Sequence, residues 1–346
     1  MRKKPLTKDP LLTSSYEYHL PDGLIATHPV HPRDHARLLV YNRTDQSITH
    51  ARFDQINDFL PNECAIIFND TKVIKARLYG KKESGGTVEL LINRPLNAHT
   101  INVYIKGRVK SGTVLYFDEN VKAIVTTLND DGSREVNFYL NNVLLRFEDL
   151  LPLLEKIGHI PLPPYLGRED NSEDEREYQS VFAEHEGSVA APTASLHFTD
   201  ELFHQICKDH EHGFVTLHVG SGTFKPVDCT TITDHPMHSE YFEISKKSLD
   251  LIQGSAPLLC VGTTSTRTVE YHIRTDELHG EANLFLHPHN PPLRVNHLLT
   301  NFHLPQSTLL MLVASFIGLE ETHRIYQEAI DEKYRFFSYG DAMLIL

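Results

Sequence analysis

The sequence predicts a mixed α/β main domain interrupted by an inserted antiparallel β unit, and three observations carry that prediction. Ala65–Phe68 (AIIF) is a wholly apolar run of strand length that ends at Asn69 and Asp70, as a buried strand does. From about Val73 to Phe138 the texture changes. Short alternating segments (RLYGKK, TVELLI, INVYIKGRV, TVLYF, KAIVTTL, EVNFYL) follow one another between Gly, Asn and Asp turn signals, the pattern of a barrel or a sandwich. Beyond GHIPLPPYL (Gly158–Leu166), whose prolines exclude regular structure, the apolar strands GFVTLHV and PLLCVG alternate with helical spacing over 200–210, 265–274 and 320–333. The expected division is therefore 1–72 with 156–346 as a discontinuous main domain, and 73–155 as the insert.

The 346 residues suffice for two domains, and 40% hydrophobic with 23% charged residues is the composition of an ordered soluble protein. The start, MRKKPLTKDPLLTSSYEYHL, has no apolar core of a signal peptide, and the apolar run Thr308–Leu319 is too short to span a bilayer, so a cytoplasmic protein with no membrane partner is expected. Cys64, Cys207, Cys229 and Cys260 lie far apart and read as reduced thiols. A formal net charge of −13 argues against non-specific nucleic-acid binding by the whole surface. Its distribution is uneven. Lys72, Lys75, Arg77, Lys81 and Lys82 occur with no acid among them, and Lys106, Arg108 and Lys110 repeat the bias; a solvated face and a polyanion-binding surface both explain these runs. The acidic run Glu169–Glu177 reads as a solvated face.

Three segments set a histidine among apolar and backbone-bending residues. They are GSVAAPTASLHFT with His197, LHVGSGTFKP with His218, and LLTNFHLPQSTLLML with His303. Together they suggest one composite site. In CVGTTSTRTVEY a strand runs into a helix whose first turn holds Thr263, Thr264, Ser265 and Arg267; free amides, hydroxyls and a guanidinium suit a carboxylate or phosphate, while simple helix capping explains the hydroxyls equally. Gly220-Ser221-Gly222 fails both the dinucleotide and the nucleophile-elbow templates, which leaves a bent loop that brings amides near a ligand. The 22 histidines include the close pairs His210/His212, His235/His238 and His287/His289, but none forms HExxH and no Cys stands at zinc spacing, so no metal is expected. In HPMHSEYFEI, His238 and Glu240 share a face if the segment is a strand.

At this density of motifs the chain resembles the S-adenosylmethionine:tRNA ribosyltransferase-isomerase family of queuosine biosynthesis over nearly its whole length. The matching segments are NDT with Ala76-Arg77-Leu78, GHIPLPPY, the Asp174-Glu175 and Tyr178-Gln179 region, GSVAAPTA with LHFT, HVG with GTF, HPMHSE, VGTTS with Arg267-Thr268, and TNFHLP with STLLMLV. The resemblance implies an α/β domain interrupted by a β-barrel, acting as a monomer with no metal and no permanently bound cofactor. It implies transfer of the ribosyl part of S-adenosylmethionine, a co-substrate, to 7-aminomethyl-7-deazaguanine at the tRNA wobble position, releasing adenine and methionine. Proton removal beside the sulfonium, departure of adenine and attack by a neutral amine each call for a His or carboxylate titrating near neutrality. On that basis His197, His218, His238 and His303 are candidate bases and acids, with Glu240 orienting one of them. Thr263, Thr264, Ser265 and Arg267 are expected to hold the methionyl carboxylate, and Gly220, Gly222, Thr223 and Phe224 the nucleoside. Thr193 and Asn301 are further substrate-binding candidates. Asn69 and Asp70 are expected to read the modified base, and Lys72, Lys75, Arg77 and Lys106 to contact tRNA phosphates. Two other classes compete: a metal-dependent hydrolase, which lacks ligand spacing, and a non-catalytic RNA-binding protein, which needs no histidine-bearing segments.

Overall fold

A computed structural model describes residues 8–220, 222 and 227–346. Its main unit is a nine-stranded mixed sheet with spatial order His279–Ala282, Glu240–Ile244, His212–Leu217, Ala65–Asn69, Leu258–Val261, His297–Asn301, Ala342–Ile345, Arg37–Asn42 and Ser47–Arg52. The four central strands, from His212–Leu217 to His297–Asn301, are mutually parallel, and the strands flanking them run antiparallel. Ala65–Asn69 is buried along its whole length, as a parallel strand covered on both faces must be.

Helices and loops cover both faces. On one, Phe68, Phe198, Leu202 and Leu259 pack together; on the other, Ile67, Leu217, Cys260 and Val269 do. The helical spacing read from sequence corresponds to Asp200–Asp209, Gly262–Thr275 and Leu319–Asp331. A helix at Phe147–Ile157 has no counterpart among the expected elements, because Pro152 sits inside it. The apolar run at 308–319 forms the buried helix Thr308–Ile317. Among the described residues no helix is long and apolar enough to cross a membrane.

After Asn69 the chain pairs Thr71–Val73 with His185–Ser188 and then enters a second sheet built from Arg77–Lys82, Thr87–Pro95, Thr100–Lys106, Val114–Tyr116, Val121–Leu128 and Arg134–Leu140. Pairing of the last two strands with each other closes these six into an antiparallel barrel, with the two-residue strand Val143–Leu144 appended. Alternation fills the barrel with Leu78, Leu90, Val103, Ala123 and Phe138, all buried, so the interior is a packed core. Return to the main sheet runs through Gly158–Leu162. Arg77 and His159 exchange backbone hydrogen bonds at 3.2 and 2.9 Å, and a Cβ at Gly158 would collide with the backbone oxygens of Lys75 and Leu154. This junction is tight.

The acidic run is only in part the solvated face expected: Glu169, Glu173 and Glu175 are exposed, but two of its acids are not. Asp174 is buried and takes a bidentate pair from Arg168 at 2.6 and 2.7 Å, and buried Glu177 pairs with Arg33 at 3.3 Å. Two of its carboxylates thus anchor the 168–179 segment, a role that a charge count cannot distinguish from exposure.

Candidate active site

The parallel order places the carboxyl ends of four strands side by side, the usual position of a ligand site in an α/β sheet. Beyond those ends lie Asp70, His218, Gly262 and Phe302, and there a cavity of about 260 Å³ opens, lined by Thr193, Thr263, Thr264, Asn301, His303 and the aromatic pair Tyr165 and Phe337. The Gly262–Thr275 helix begins at its wall. Gly262 lines the cavity with φ +90°, a left-handed conformation that favours glycine, and no side chain caps the helix. The hydroxyls expected to cap or bind are divided. Ser265 is fully buried and donates to the Val261 carbonyl at 2.6 Å, so it faces its own helix; Thr264 Oγ1 accepts from Asn69 Nδ2 at 3.1 Å and stands at the cavity.

Asn301 is the hub of this cavity. Its Oδ1 accepts from Thr193 Oγ1 at 3.0 Å, and its Nδ2 donates to the Phe337 carbonyl and to His197 Nε2, both at 3.1 Å. Because the amide donates, His197 Nε2 accepts and its proton belongs on Nδ1. His197 is 4% exposed, packs on Phe53 with ring centroids 4.9 Å apart, and sits behind Asn301 rather than at the cavity. Burial pushes its pKa down to about 3. His303 does line the cavity, with Nε2 2.8 Å from Thr300 Oγ1, and burial pushes it down to about 3 as well. Both rings are neutral at pH 7, which corrects the expectation of near-neutral titration.

A second, larger cleft of about 880 Å³ separates the sheet edge from the barrel. His218, Gly220, Gly222, His238 and Glu240 reach it from the main sheet, and Asn93, Asn102 and Tyr104 from the barrel. Val219 faces the small cavity while His218 and Gly220 face the cleft, so one short segment forms part of the wall of both. His218 Nδ1 lies 2.8 Å from Thr71 Oγ1, and the ring stacks on Tyr241 at 5.9 Å. Burial, then the charge of His185, lowers its pKa to about 4. A Cβ at Gly187 would approach the His218 ring to 2.8 Å, which fixes that position as glycine.

Glu240 organises the cleft. Its Oε2 accepts from Arg267 Nη1 at 2.6 Å, its Oε1 accepts from the Gly220 amide at 3.0 Å, and His238 Nε2 lies 3.5 Å from the same oxygen. Burial alone would raise this carboxyl, but the Arg267 guanidinium and His238 hold it at about 2. The expected partnership of Glu240 with a histidine is one of proximity here: His238 Nε2 is close to the carboxylate but makes no hydrogen bond to it. Arg267 is different. It is 4% exposed, and its donors reach Glu240, the Leu284 carbonyl at 3.2 Å and the Ala282 carbonyl at 3.4 Å, so a ligand carboxylate could reach it only by displacing Glu240.

Several other expected contacts are also engaged internally. Asn69 is fully buried and clamps Leu217, exchanging bonds of 3.1 and 3.0 Å with its carbonyl and amide; Asp70 accepts from Thr216 Oγ1 at 2.6 Å. Neither lines either of these two cavities. Lys72 pairs with Glu186 and Lys75 with Glu175, each at 2.8 Å, and Arg77 pairs with Glu89 at 3.4 Å while donating to the Leu162 carbonyl at 3.0 Å. Lys106 alone of the four expected phosphate contacts is widely exposed, at 86%. Thr223 and Phe224 lie outside the described residues. Among the described residues one group could hold a metal ion, Asp70 with exposed Glu184 and His185, and it lines neither cavity.

A family model described as "Queuosine biosynthesis protein" matches residues 13–345. The chain belongs to this family. It is 59% identical over 342 residues to a protein of Sulfurimonas denitrificans named S-adenosylmethionine:tRNA ribosyltransferase-isomerase, covering 99% of this chain and 100% of the relative. A relative of the same name from Nitratiruptor sp. is 58% identical over 338 residues, with 98% and 99% covered. The crystal structure of S-adenosylmethionine tRNA ribosyltransferase from Thermotoga maritima is 32% identical, covers 96% of this chain and 100% of its own, and aligns with a TM-score of 0.54. Within this family frame, sequence reasoning missed the aromatic wall. Tyr165 stands in a segment that reads as proline-rich loop, and Phe337, with φ +74°, has no motif around it; its ring meets Tyr165 at 4.3 Å.

Two outcomes follow from these geometries. Removing Arg267 strands a buried carboxylate, so Arg267→Ala should cost ~3–5 kcal/mol of stability in chemical denaturation. A loss under ~1 kcal/mol would show the pair is dispensable and return Arg267 to the ligand. The histidines set an acid limit. In the unfolded chain each takes up a proton near pH 6.5, whereas folded His197 and His303 do so only near 3, so between these values the unfolded state binds more protons and stability falls as pH falls. His303→Gln should flatten that slope in melting curves; an unchanged slope would contradict the neutral buried ring.

Proposed function

We propose that the chain transfers and isomerises the ribosyl moiety of S-adenosylmethionine onto 7-aminomethyl-7-deazaguanine at the tRNA wobble position, giving epoxyqueuosine in tRNA, adenine and methionine. The observation that carries this reading is the pair of chambers at the strand ends, one of about 260 Å³ and one of about 880 Å³, which share the wall 218–220. A nucleoside co-substrate and a base carried on a polymer need such a pair. The adenosyl part enters the small cavity against Tyr165 and Phe337, with Thr193, Thr264 and Asn301 as polar contacts. The uncapped amides of the Gly262–Thr275 helix, rather than Arg267, face the anionic end of the ligand. The modified base enters the cleft beside the barrel.

Roles for the histidines follow from access and protonation. His218 is unprotonated, its Nδ1 is held by Thr71 and it forms part of the shared wall, which places it to take the proton beside the sulfonium, as a weaker base than a free imidazole. His238, beside Glu240 at the cleft, suits the amine, which must lose a proton to attack. His303 contacts the nucleoside as a neutral hydrogen-bonding ring, and His197 acts through Asn301 as a positioning residue. No step is assigned to a metal: the one candidate ligand group among the described residues, Asp70 with Glu184 and His185, lines neither chamber. Residues 73–155 form the unit that meets tRNA. Lys106, widely exposed and held only by a long 3.8 Å contact to Glu89, is the readiest phosphate contact, and Lys72, Lys75 and Arg77 contribute only by leaving closer carboxylates. The enzyme is read as a cytoplasmic monomer.

Adenine release from S-adenosylmethionine should require tRNA bearing the aminomethyl base and survive exhaustive chelation. His218→Ala and His238→Ala should each lower kcat about 100-fold or more with little change in KM. Release without tRNA, or restoration by added metal after chelation, would overturn the reading. Equal losses in KM alone would make both rings cleft wall.

A further inference from the structure

Across the outside of the barrel, the strand register sets tyrosines among lysines, with one carboxylate, Glu89, between Lys106 and Tyr79. Lys106 stands opposite Glu89, which stands opposite Tyr79; Lys81 stands opposite Tyr116, and Tyr116 opposite Lys122. Residues directly opposite in antiparallel strands share a face, so these side chains form one surface, while Leu78, Leu90 and Val103 at the alternate positions fill the core. The rings are open to solvent: Tyr79 is 43% and Tyr116 45% exposed. Tyr104, opposite Leu91, which is opposite Arg77, already lines the cleft. The strip therefore starts inside the cleft at Tyr104 and runs outward over Tyr79 to Tyr116. Strand spacing and rise set these rings about 12 Å and about 8 Å apart in turn.

Charge favours a polyanion here although the whole chain is acidic. Between Arg77 and Lys110 stand Arg77, Lys81, Lys82, Arg94, Lys106, Arg108 and Lys110 against only Glu83 and Glu89. Aromatic rings interleaved with lysines are the means by which proteins hold single-stranded nucleic acid without reading its sequence, because every base has a face to stack and every nucleotide a phosphate. Paired bases offer no such face. Tyrosine also favours strands for reasons of packing, but that alone leaves no reason for the strip to be continuous with the cleft and basic.

We propose that Tyr104, Tyr79 and Tyr116, with Lys81 and Lys106, form a stacking track for the unpaired nucleotides that adjoin the base held in the cleft. The proposal rests on the reading that the cleft takes a base carried by RNA. It explains how a large polyanion is held by a chain of net negative charge: the anchoring contacts are bases on rings, with few phosphates needed.

The test is fluorescence anisotropy of the full chain with labelled octaadenylate, and with an RNA duplex of the same length, over a range of salt. Tyr79→Ala with Tyr116→Ala should weaken octaadenylate binding at least about tenfold and leave the salt slope unchanged, because no phosphate contact is lost. Tyr79→Phe with Tyr116→Phe should bind within about twofold of wild type, since the ring is kept. Lys81→Ala with Lys106→Ala should reduce the log–log salt slope by about 0.7 per lost contact. The duplex should bind more weakly than the single strand. Wild-type affinity in the alanine pair, an equal loss in the phenylalanine pair, or equal binding of the duplex would each overturn the track. Because no S-adenosylmethionine is present, these outcomes are separate from adenine release. A chain that turns over tRNA but binds octaadenylate indifferently to these tyrosines refutes the track alone.

Discussion

The buried pair of Glu240 and Arg267 is the contact on which both chambers depend. Arg267 lies on the helix whose first turn walls the small cavity, and Glu240 begins the strand next to the sheet edge and faces the cleft. Their 2.6 Å contact therefore ties the two chambers to one another. The second carboxylate oxygen then fixes the Gly220 amide and lies beside His238, which sets the shared wall and one histidine at the same carboxylate. A buried ion pair contributes little net stability when made and a great deal when broken, because the remaining partner is left uncompensated. Here its value is geometric: the two reacting halves of the site cannot shift independently.

A second constraint is the shared direction of the four central strands. Segments far apart in sequence, 69–73, 217–220, 262–268 and 300–307, meet because parallel strands deliver them to one edge, and 187–193 joins them by pairing with 71–73 and by the Val189 amide's bond to the Val219 carbonyl. Asn69 shows the mechanism. Buried, it holds both backbone groups of Leu217 and the Thr264 hydroxyl, so one amide aligns two strand ends with the helix start. Asn301 does the same on the other side for Thr193, His197 and Phe337. Residues that resemble substrate contacts in sequence thus divide into those that touch the chambers and those that hold the ones that do.

That division explains what was legible. The barrel strands were readable because each alternates with period two, and Ala65–Asn69 because its apolar run is bounded by turn residues. Thr193, His303 and the GTT segment, which line the small cavity, stood out because backbone-bending and hydrogen-bonding types cluster around them. The partners of charged residues were not. Lys75 finds Glu175 at a separation of 100 residues and Arg77 finds Leu162 at 85, so a run that reads as a phosphate face includes two cations that close the barrel onto the main sheet. The partner of Arg267 was hidden for the same reason, its carboxylate being 27 residues upstream. Phe337 was invisible because its role follows from a left-handed backbone and a hydrogen bond to Asn301, neither of which leaves a mark in composition.

The central claim is that the nucleoside and the modified base occupy different chambers on either side of residues 218–220. A crystal structure of the chain with S-adenosylhomocysteine tests it most directly. The account predicts adenine between Tyr165 and Phe337 on one side and Leu304 on the other, within reach of Asn301 and the start of the Gly262–Thr275 helix, with the cleft beside the barrel left open. Adenine bound in the cleft between His238 and Tyr104, with the small cavity empty, would contradict it.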